Sequence, residues 1–497
     1  MISKVQVEIY LSKSRFIRGL QCHKSLWLYK YKPELRTLPD ESLLVIFNAG
    51  ADVGLLGQNL FPGGVAIGFE DSSFQEKIEK TKALIERGVK TIYEATFQHD
   101  GVLVMVDILH KGHQGWDIYE VKSTTEVKDI HLPDLAIQYY VLQGSGLNVS
   151  KACLVHINNK YVRQGELDVR NLFTISRMTG DVKEYQNQLR KDLVAMKKML
   201  RGKCPAIDIG PQCSDPYECD YMEHCWSHVP HPSVFDITRL KAERKFGLYY
   251  QGILKFKDIP DDYPLNSAQR MQVKAEITGK SFINKQQIEE FISSLYYPLY
   301  YLDFETFKNA IPPYEGLKPY ENIPFLYSIH YQERESGKLA HIEFLAKEGT
   351  DPREVIAKHL TEEMPSKACV LTWNMSFEKN IISTLADRFP KYAKRLMSIH
   401  DSIIDLMVPF QKKYYYTKEM NGSYSIKAVL PALVPELSYD NFEISNGDMA
   451  SNTYATLNLI QDKEQIKRIR KALLEYCKLD TLAMVKIVEK MRSLAGI

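Results

Sequence analysis

The stretch YYLDFET at residues 300–306 places the tightest constraint on how this chain can fold. Its apolar and aromatic residues read as a buried strand, and the two-residue period of a strand puts Tyr301, Asp303 and Glu305 on one face. A buried, unpaired carboxylate is costly enough to be protonated or to demand a partner. A core strand with two inward acids therefore predicts a shared counter-charge, most economically a divalent cation.

Further acids fall into place downstream. IKRIRKALLEYCKLDTLAMVKI carries a helical apolar stripe of Ile466, Ile469, Leu473, Cys477, Met484 and Ile487. Tyr476 and Asp480, four residues apart, lie beside or within that stripe, so Asp480 faces inward. Glu378 follows the strand-like ACVLTWN in WNMSFEK. Carboxylate oxygens converging from these positions would suit hard divalent cations. Salt bridges or helix caps would explain any one of these acids, but poorly explain several inward ones.

The order DFE on a first strand, Asn with an acid four residues on after a later strand, and Tyr-x-x-x-Asp on a final helix resembles the DEDDy branch of the DnaQ-like 3′-to-5′ exonucleases, over residues 296–493. The resemblance implies that Asp303, Glu305, Glu378 and Asp480 hold Mg²⁺ or Mn²⁺ and that Tyr476 orients the attacking water. The second motif usually ends in Asp; here it is Glu378, with Asp401 or Asp405 in HDSIIDLM as the alternative acid.

At 497 residues the chain exceeds a single core, while 44% hydrophobic and 25% charged residues are ordinary globular values. The expected fold class is α/β in three parts. Residues 1–228 alternate helices with strands such as GVLVMVDILHK and WDIYEVKS; 229–292 are proline-punctuated and bridging; 293–497 form a mixed sheet flanked by helices. Within the bridge, LYYQGILKFKDIP resembles a helix-hairpin-helix. No apolar run is long enough to span a membrane, and MISKVQVEIYLSKSRFIRGLQCHKSLWLYK lacks a signal-peptide core, so a cytoplasmic, membrane-free protein is expected.

The first block has its own inward ionisable groups. Strand period places Asp107 beside Leu103, Met105 and Leu109, and places Glu120 and Lys122 beside Trp116 and Ile118. Two carboxylates with an ammonium can hold a metal and offset developing phosphate charge. Asp107 with EVK at 120–122 resembles the PD-(D/E)XK nucleases, and Gln138 on the following helix resembles the glutamine motif of their RecB-like branch. Two departures stand out: Leu142 replaces a tyrosine frequent after that glutamine, and GADVGLLGQ lacks the upstream metal-binding His, for which Glu94 is the candidate substitute.

Three cysteines in thirteen residues, Cys213, Cys219 and Cys225, point to metal in a cytosolic chain. Cys22, far upstream, makes a fourth thiolate, with His224 as a stand-in ligand; Cys153, Cys204, Cys369 and Cys477 read as packing. One Cys before and three after the core resemble the iron–sulfur clasp of RecB-family exonucleases, which implies a [4Fe-4S] cluster with zinc as the alternative.

The net charge of +2 means that a polyanion must be held by local patches. Lys467, Arg468, Arg470 and Lys471 form one candidate. Lys412 and Lys413, followed by Tyr414, Tyr415 and Tyr416, form another that pairs charge with stacking surface. SKSRF, EVK, the cysteine clasp, YYLDFET and YCKLDT in that order resemble an uncharacterised bacterial family of fused RecB-like and DnaQ-like nucleases. The implied partner is nucleic acid, DNA ahead of RNA, and the implied setting is DNA repair, recombination or defence. The rival expectation is a nucleic-acid-binding or scaffolding protein with one or both sites vestigial.

Overall fold

A computed structural model describes residues 11–39, 50–68, 73–439 and 442–497. It is mixed α/β. The chain divides into two compact units: Met1–His228 with Asn309–Glu321, and Val229–Lys308 with Asn322–Ile497. Among the described residues no helix is long and apolar enough to cross a membrane.

The first unit contains strands Leu11–Ser12 (β1), Val65–Ala66 (β2), Thr91–His99 (β3), Val102–Lys111 (β4), Trp116–Lys122 (β5), Val149–Ile157 (β6) and Phe173–Arg177 (β7). They form one mixed sheet in the order β2-β3-β4-β5-β6-β7, with β1 parallel to the first residues of β4. β3, β4 and β5 are an antiparallel meander. The chain then crosses through helix His131–Gly144 to lay β6 parallel to β5. That crossover helix buries Leu135, Ala136, Ile137, Val141 and Leu142 in the core with helix Thr179–Met199. Leu142 is fully buried there, where the apolar surroundings suit leucine better than a phenol. Helix Phe74–Glu86 begins at a capping box between Ser73 and Glu76, which satisfies amides that would otherwise be orphaned.

The segment 309–321 packs with this first unit. Ala310 joins the cluster of Tyr93, Tyr119 and Phe173, and Arg163 exchanges backbone bonds with Leu317 and Gly316.

The second unit is built on a five-stranded sheet of Leu299–Phe307 (β9), Ile323–Gln332 (β10), Ala340–Leu345 (β11), Cys369–Thr372 (β12) and Ile403–Asp405 (β13), ordered β11-β10-β9-β12-β13. A two-residue strand, Phe282–Ile283 (β8), pairs apart from it with Tyr415–Tyr416 (β14). β9, β10 and β11 are antiparallel, whereas β12 and β13 run parallel to β9 and to each other. The even-numbered residues Tyr300, Leu302 and Phe304 face a core completed by helices Arg353–Glu363, Met375–Arg388 and Pro390–Asp401. The odd-numbered face takes the helices Gly447–Thr456 and Lys463–Ala495. The long helix is pinned to β10 by Thr481, whose hydroxyl meets Ser328 and His330, each at 2.8 Å.

The bridging residues 229–292 fall within the second unit and carry a small core of Val234, Ile237, Leu240, Leu248 and Phe256. Helix Ala242–Tyr250 closes with Gly252 (φ 78°), whose amide donates to Tyr249, and with Ile253, whose amide donates to Leu248. The chain then makes a 3₁₀ turn, Phe256–Asp258, with Phe256 in the small core, before the next helix, Ser267–Thr278.

Candidate functional site

β9 presents Asp303 and Glu305 two residues apart on the face covered by the long helix, and one turn of that helix places Asp480 against them. One carboxylate oxygen from each of the three lies within 4.8 Å of the others. Glu378 sits in the first turn of helix Met375–Arg388, directly after β12, and is 2% exposed. Burial, then the charge of Asp303, pushes its carboxyl well above the usual range, and its Oε2 is buried without a hydrogen-bond partner. The sequence separates the Asp303–Glu305 pair from Glu378 and Asp480; the fold brings Asp303, Glu305 and Asp480 together and sets Glu378 within electrostatic reach.

Each remaining acid of the group is destabilised in its charged form. Burial and then Asp480 raise Asp303 far above the usual carboxylate range. Burial, Asp303 and Asp480 do the same to Glu305. Asp480 is pushed up to about 6 by burial, against the opposing pull of the Tyr439 hydroxyl, Lys427 and the Tyr476 hydroxyl. This is what crowded carboxylates do when no cation lies between them. The donor set is all hard oxygen, and the orphaned Glu378 oxygen adds a fourth acid, so the residues fit Mg²⁺ or Mn²⁺.

The burial of Asp480 bears on stability. Asp480 has a folded pKa of about 6 against 3.8, so its contribution to stability is lost as pH rises between those values and its full penalty is present at pH 7.5. Asp480→Asn is expected to stabilise the protein in EDTA by about 2 kcal/mol. Millimolar Mn²⁺ should raise the melting temperature of the wild type and leave the variant nearly unmoved. Calorimetry showing the variant less stable in EDTA would contradict a burial penalty on the Asp480 charge.

Three neighbours carry no signal for this role in the sequence pattern. Tyr439 donates its hydroxyl to Asp480 Oδ1 at 2.7 Å, from a loop with no periodic signal. Lys427, in the first turn of helix Ile426–Leu433, is the cation felt by Asp480 and Glu305, and its Nζ lies 5.4 Å from the ring centres of both Tyr439 and Tyr476. Cys477, read as packing, is indeed fully buried, but its thiol donates to Asp303 Oδ2 at 3.5 Å. Its position three residues before Asp480, on the same stripe, is the one clue to that contact. Of the alternative acids, Asp401 is exposed and pairs with His400 at 2.8 Å, while Asp405 accepts from the amides of Asn374 and Met407.

A family described as a domain of unknown function, DUF2779, matches residues 300–425. That match takes in Asp303, Glu305, Glu378 and Lys412–Tyr416, and stops short of Lys427, Tyr439, Tyr476 and Asp480. No curated protein matches the chain.

The first unit gathers a second set of charges. Glu120 and Lys122 project from β5, and Asp107 from β4 accepts the Val121 amide at 2.7 Å. Glu94 lies across β3–β4 opposite Asp107 and adopts φ 57°, a conformation rare for a side-chain-bearing residue. Burial and Glu120 raise both Glu94 and Asp107 to about 7. Gln138 donates to Glu120 Oε2 at 2.8 Å.

Two further participants join them. Lys13, within SKSRF, reaches Glu120 at 2.5 Å and Asp134 at 3.2 Å. Asp134, one turn before Gln138 on the same helix face, pairs with Lys122 at 2.7 Å. Burial works against the Asp134 charge, but Lys13 and then Lys122 hold its carboxyl well below the usual range. Here two ammonium groups already neutralise acids, unlike the cluster around Asp303.

Cys22, Cys213, Cys219 and Cys225 line one small cavity. Burial raises the Cys22 and Cys225 thiols, with further contributions from the other cysteines of the set. The loop is tied to the N-terminal helices by Arg18, which grips Asp220 with two bonds of 2.6 and 2.9 Å, and by Gln21, which donates to the carbonyls of Gln212 and Tyr217. His224 is exposed and does not line the cavity. Among the described residues, the Asp303 group is the one set of three or more potential ligands within 4.8 Å of one another. The four thiols are therefore spread wider than the roughly 3.8 Å between sulfurs on a tetrahedral zinc ion.

The basic runs are placed unevenly. Arg470 is spent on the carbonyls of Leu345 and Ala346 and on Glu348; Arg468 faces Glu443 and Lys471 faces Glu475. Lys467 and Lys412 are exposed. Lys413 is 8% exposed with its Nζ 3.8 Å from the Tyr416 ring centre, and Tyr415 and Tyr416 are buried, because β14 packs into the unit. The tyrosines expected to offer stacking surface are thus mostly interior.

Proposed function

We propose that the protein is a metal-dependent nuclease whose second unit is an RNase H-like, DnaQ-type 3′-to-5′ exonuclease. The observation that carries this reading is the convergence of Asp303, Glu305 and Asp480 within 4.8 Å, with Glu378 buried beside them and all of them disfavoured as bare anions. Mg²⁺ or Mn²⁺ held by these carboxylates would supply Lewis-acid stabilisation and an activated water.

The chain's own groups do the rest. Tyr439 and Tyr476 bond the Asp480 carboxylate and fix its orientation. Tyr476 thereby stays beside the acids, where its hydroxyl can orient the attacking water. Lys427 brings a positive charge to one side of the acids, suited to a phosphate oxygen. Cys477 holds one Asp303 oxygen through its thiol, leaving the other for metal. A panel of 5′-labelled single- and double-stranded DNA and RNA tests the reading: wild type with Mn²⁺ should shorten the label stepwise from the 3′ end. An intact label under every condition would overturn it.

For the first unit we propose a PD-(D/E)XK, RecB-like site of Asp107, Glu120, Lys122 and Gln138, with a [4Fe-4S] cluster on the four cysteines that line one cavity. Lys122→Ala in an Asp303→Ala background is expected to remove a residual metal-dependent nuclease activity, about 10²-fold or more, measured on the same substrates. A specific observation favours the rival reading for this unit: Lys13 and Lys122 already occupy the oxygens a metal would use. If Asp303→Ala alone leaves no nuclease activity, the first unit is a binding module whose charged site is structural.

A further inference from the structure

The second unit holds a cavity of about 530 Å³ whose wall joins three parts of the sequence that the motifs do not connect. One wall is Thr238 and Arg239 from the bridging residues. Another is Trp373 and Asn374, at the end of β12 and one turn before Glu378. The third is the loop 421–425, which leads into the helix carrying Lys427. The cavity thus adjoins two elements that deliver residues to the acids.

Its chemistry is cationic and aromatic. Arg239 lies over the Tyr424 ring, 5.3 Å from its centre, and bonds the Tyr424 hydroxyl. Among the described residues, no acid pairs with it within salt-bridge distance. The Trp373 indole N–H is buried and has no hydrogen-bond partner. The Lys413 ammonium, within electrostatic reach of Arg239, is likewise buried without one. Helix Ile426–Leu433 opens at the cavity with Ser425 as its N-cap and no side chain capping its first amides, so its positive end is open to an anion.

The cavity wall is also held rigidly. Gly422 (φ 74°) receives the Thr238 hydroxyl on its carbonyl and donates its amide to the Tyr416 hydroxyl at 3.0 Å. A methyl group at Gly422 would stand 2.1 Å from Thr238 Oγ1 and 2.3 Å from Gln272 Nε2, so both the backbone angle and the close approach require glycine.

An unpaired guanidinium, open helix amides, a buried indole donor and an aromatic face together suit a phosphate joined to a planar base. We propose that this cavity seats one nucleotide unit of a single-stranded substrate, the unit next to the one held at the acids, with Arg239 and the helix end taking its phosphate and Trp373 and Tyr424 its base. This deepens the nuclease reading and rests on it for the identity of the strand, while the pocket's affinity for a nucleotide stands alone. The bridging residues then belong to the substrate site.

The test measures binding and turnover separately. Titration of pTpTpT and of its ribonucleotide counterpart into full-length protein in EDTA, monitored by calorimetry, should give saturable binding. Arg239→Ala should weaken it at least tenfold, and Arg239→Lys should restore part of it. Trp373→Phe should weaken it about threefold, and melting curves should show each variant folded. With Mn²⁺, Arg239→Ala should raise KM for dinucleotides and longer strands with kcat nearly unchanged. Unchanged affinity in a folded Arg239→Ala protein overturns the pocket and leaves the nuclease reading intact. Arg239-dependent binding without any digestion overturns the nuclease reading and leaves the pocket intact.

Discussion

Asp303→Ala and Asp480→Ala are each expected to lower Mn²⁺-supported shortening from a 3′ end by about 10³-fold or more, because several kcal/mol of transition-state stabilisation depend on the cations these acids would hold. Both residues belong to the group within 4.8 Å, and the loss of either leaves fewer oxygens than a two-metal site requires. Neither change should unfold the protein. The bare carboxylates are disfavoured in the fold, even though the thiol of Cys477 donates to Asp303 and the hydroxyl of Tyr439 to Asp480. Gel analysis of 5′-labelled strands, with circular dichroism melts alongside, measures both quantities. Two variants that digest at the wild-type rate would move the activity elsewhere in the chain.

If the four cysteines hold the proposed cluster, Cys219→Ser should remove it and cost the first unit several kcal/mol of stability, because binding energy at a metal site that forms only in the folded chain is folding energy. Cys219 is the middle cysteine of the 213–225 run, and its thiol meets Ser25 Oγ at 3.5 Å on the opposite segment. Protein purified without oxygen should be brown and contain iron with acid-labile sulfide, and the variant should contain neither and melt earlier. Zinc without iron in the wild type would reverse the assignment. Serine is the sharper substitution here because it keeps the size of the side chain and removes the soft ligand.

Much of the second unit was legible from pattern. Alternation in YYLDFET assigned Asp303 and Glu305 to the face away from Tyr300, Leu302 and Phe304, and the three latter residues do sit together in the core. The 3.6-residue stripe assigned Asp480 inward, and it is 6% exposed. Both signals survive because each depends only on local backbone geometry, which a few residues decide. Tyr439 left no trace, since its loop has no period and its partner is 41 residues away. The stacking surface expected from Lys413 to Tyr416 failed for a related reason: composition cannot tell an exposed aromatic from one folded under by a two-residue strand.

In the first unit, pattern placed Asp107, Glu120 and Lys122 inward but gave no hint that Lys13 would reach Glu120 across 107 residues. That contact turns an expected metal site into a set of internally paired charges, and which description holds in solution is what the Lys122→Ala experiment decides.

By itself the sequence determined on which face of their elements Asp303, Glu305 and Asp480 lie, roughly where several strands and helices run, and which kinds of ligand are present, since these depend on periods of two and 3.6 residues and on the chemistry of each side chain. Only the tertiary structure decided which inward acids share one space, which lysines neutralise them and where a cavity opens between distant segments. Those depend on long-range packing, in which residues tens or hundreds of positions apart compete for the same few ångströms.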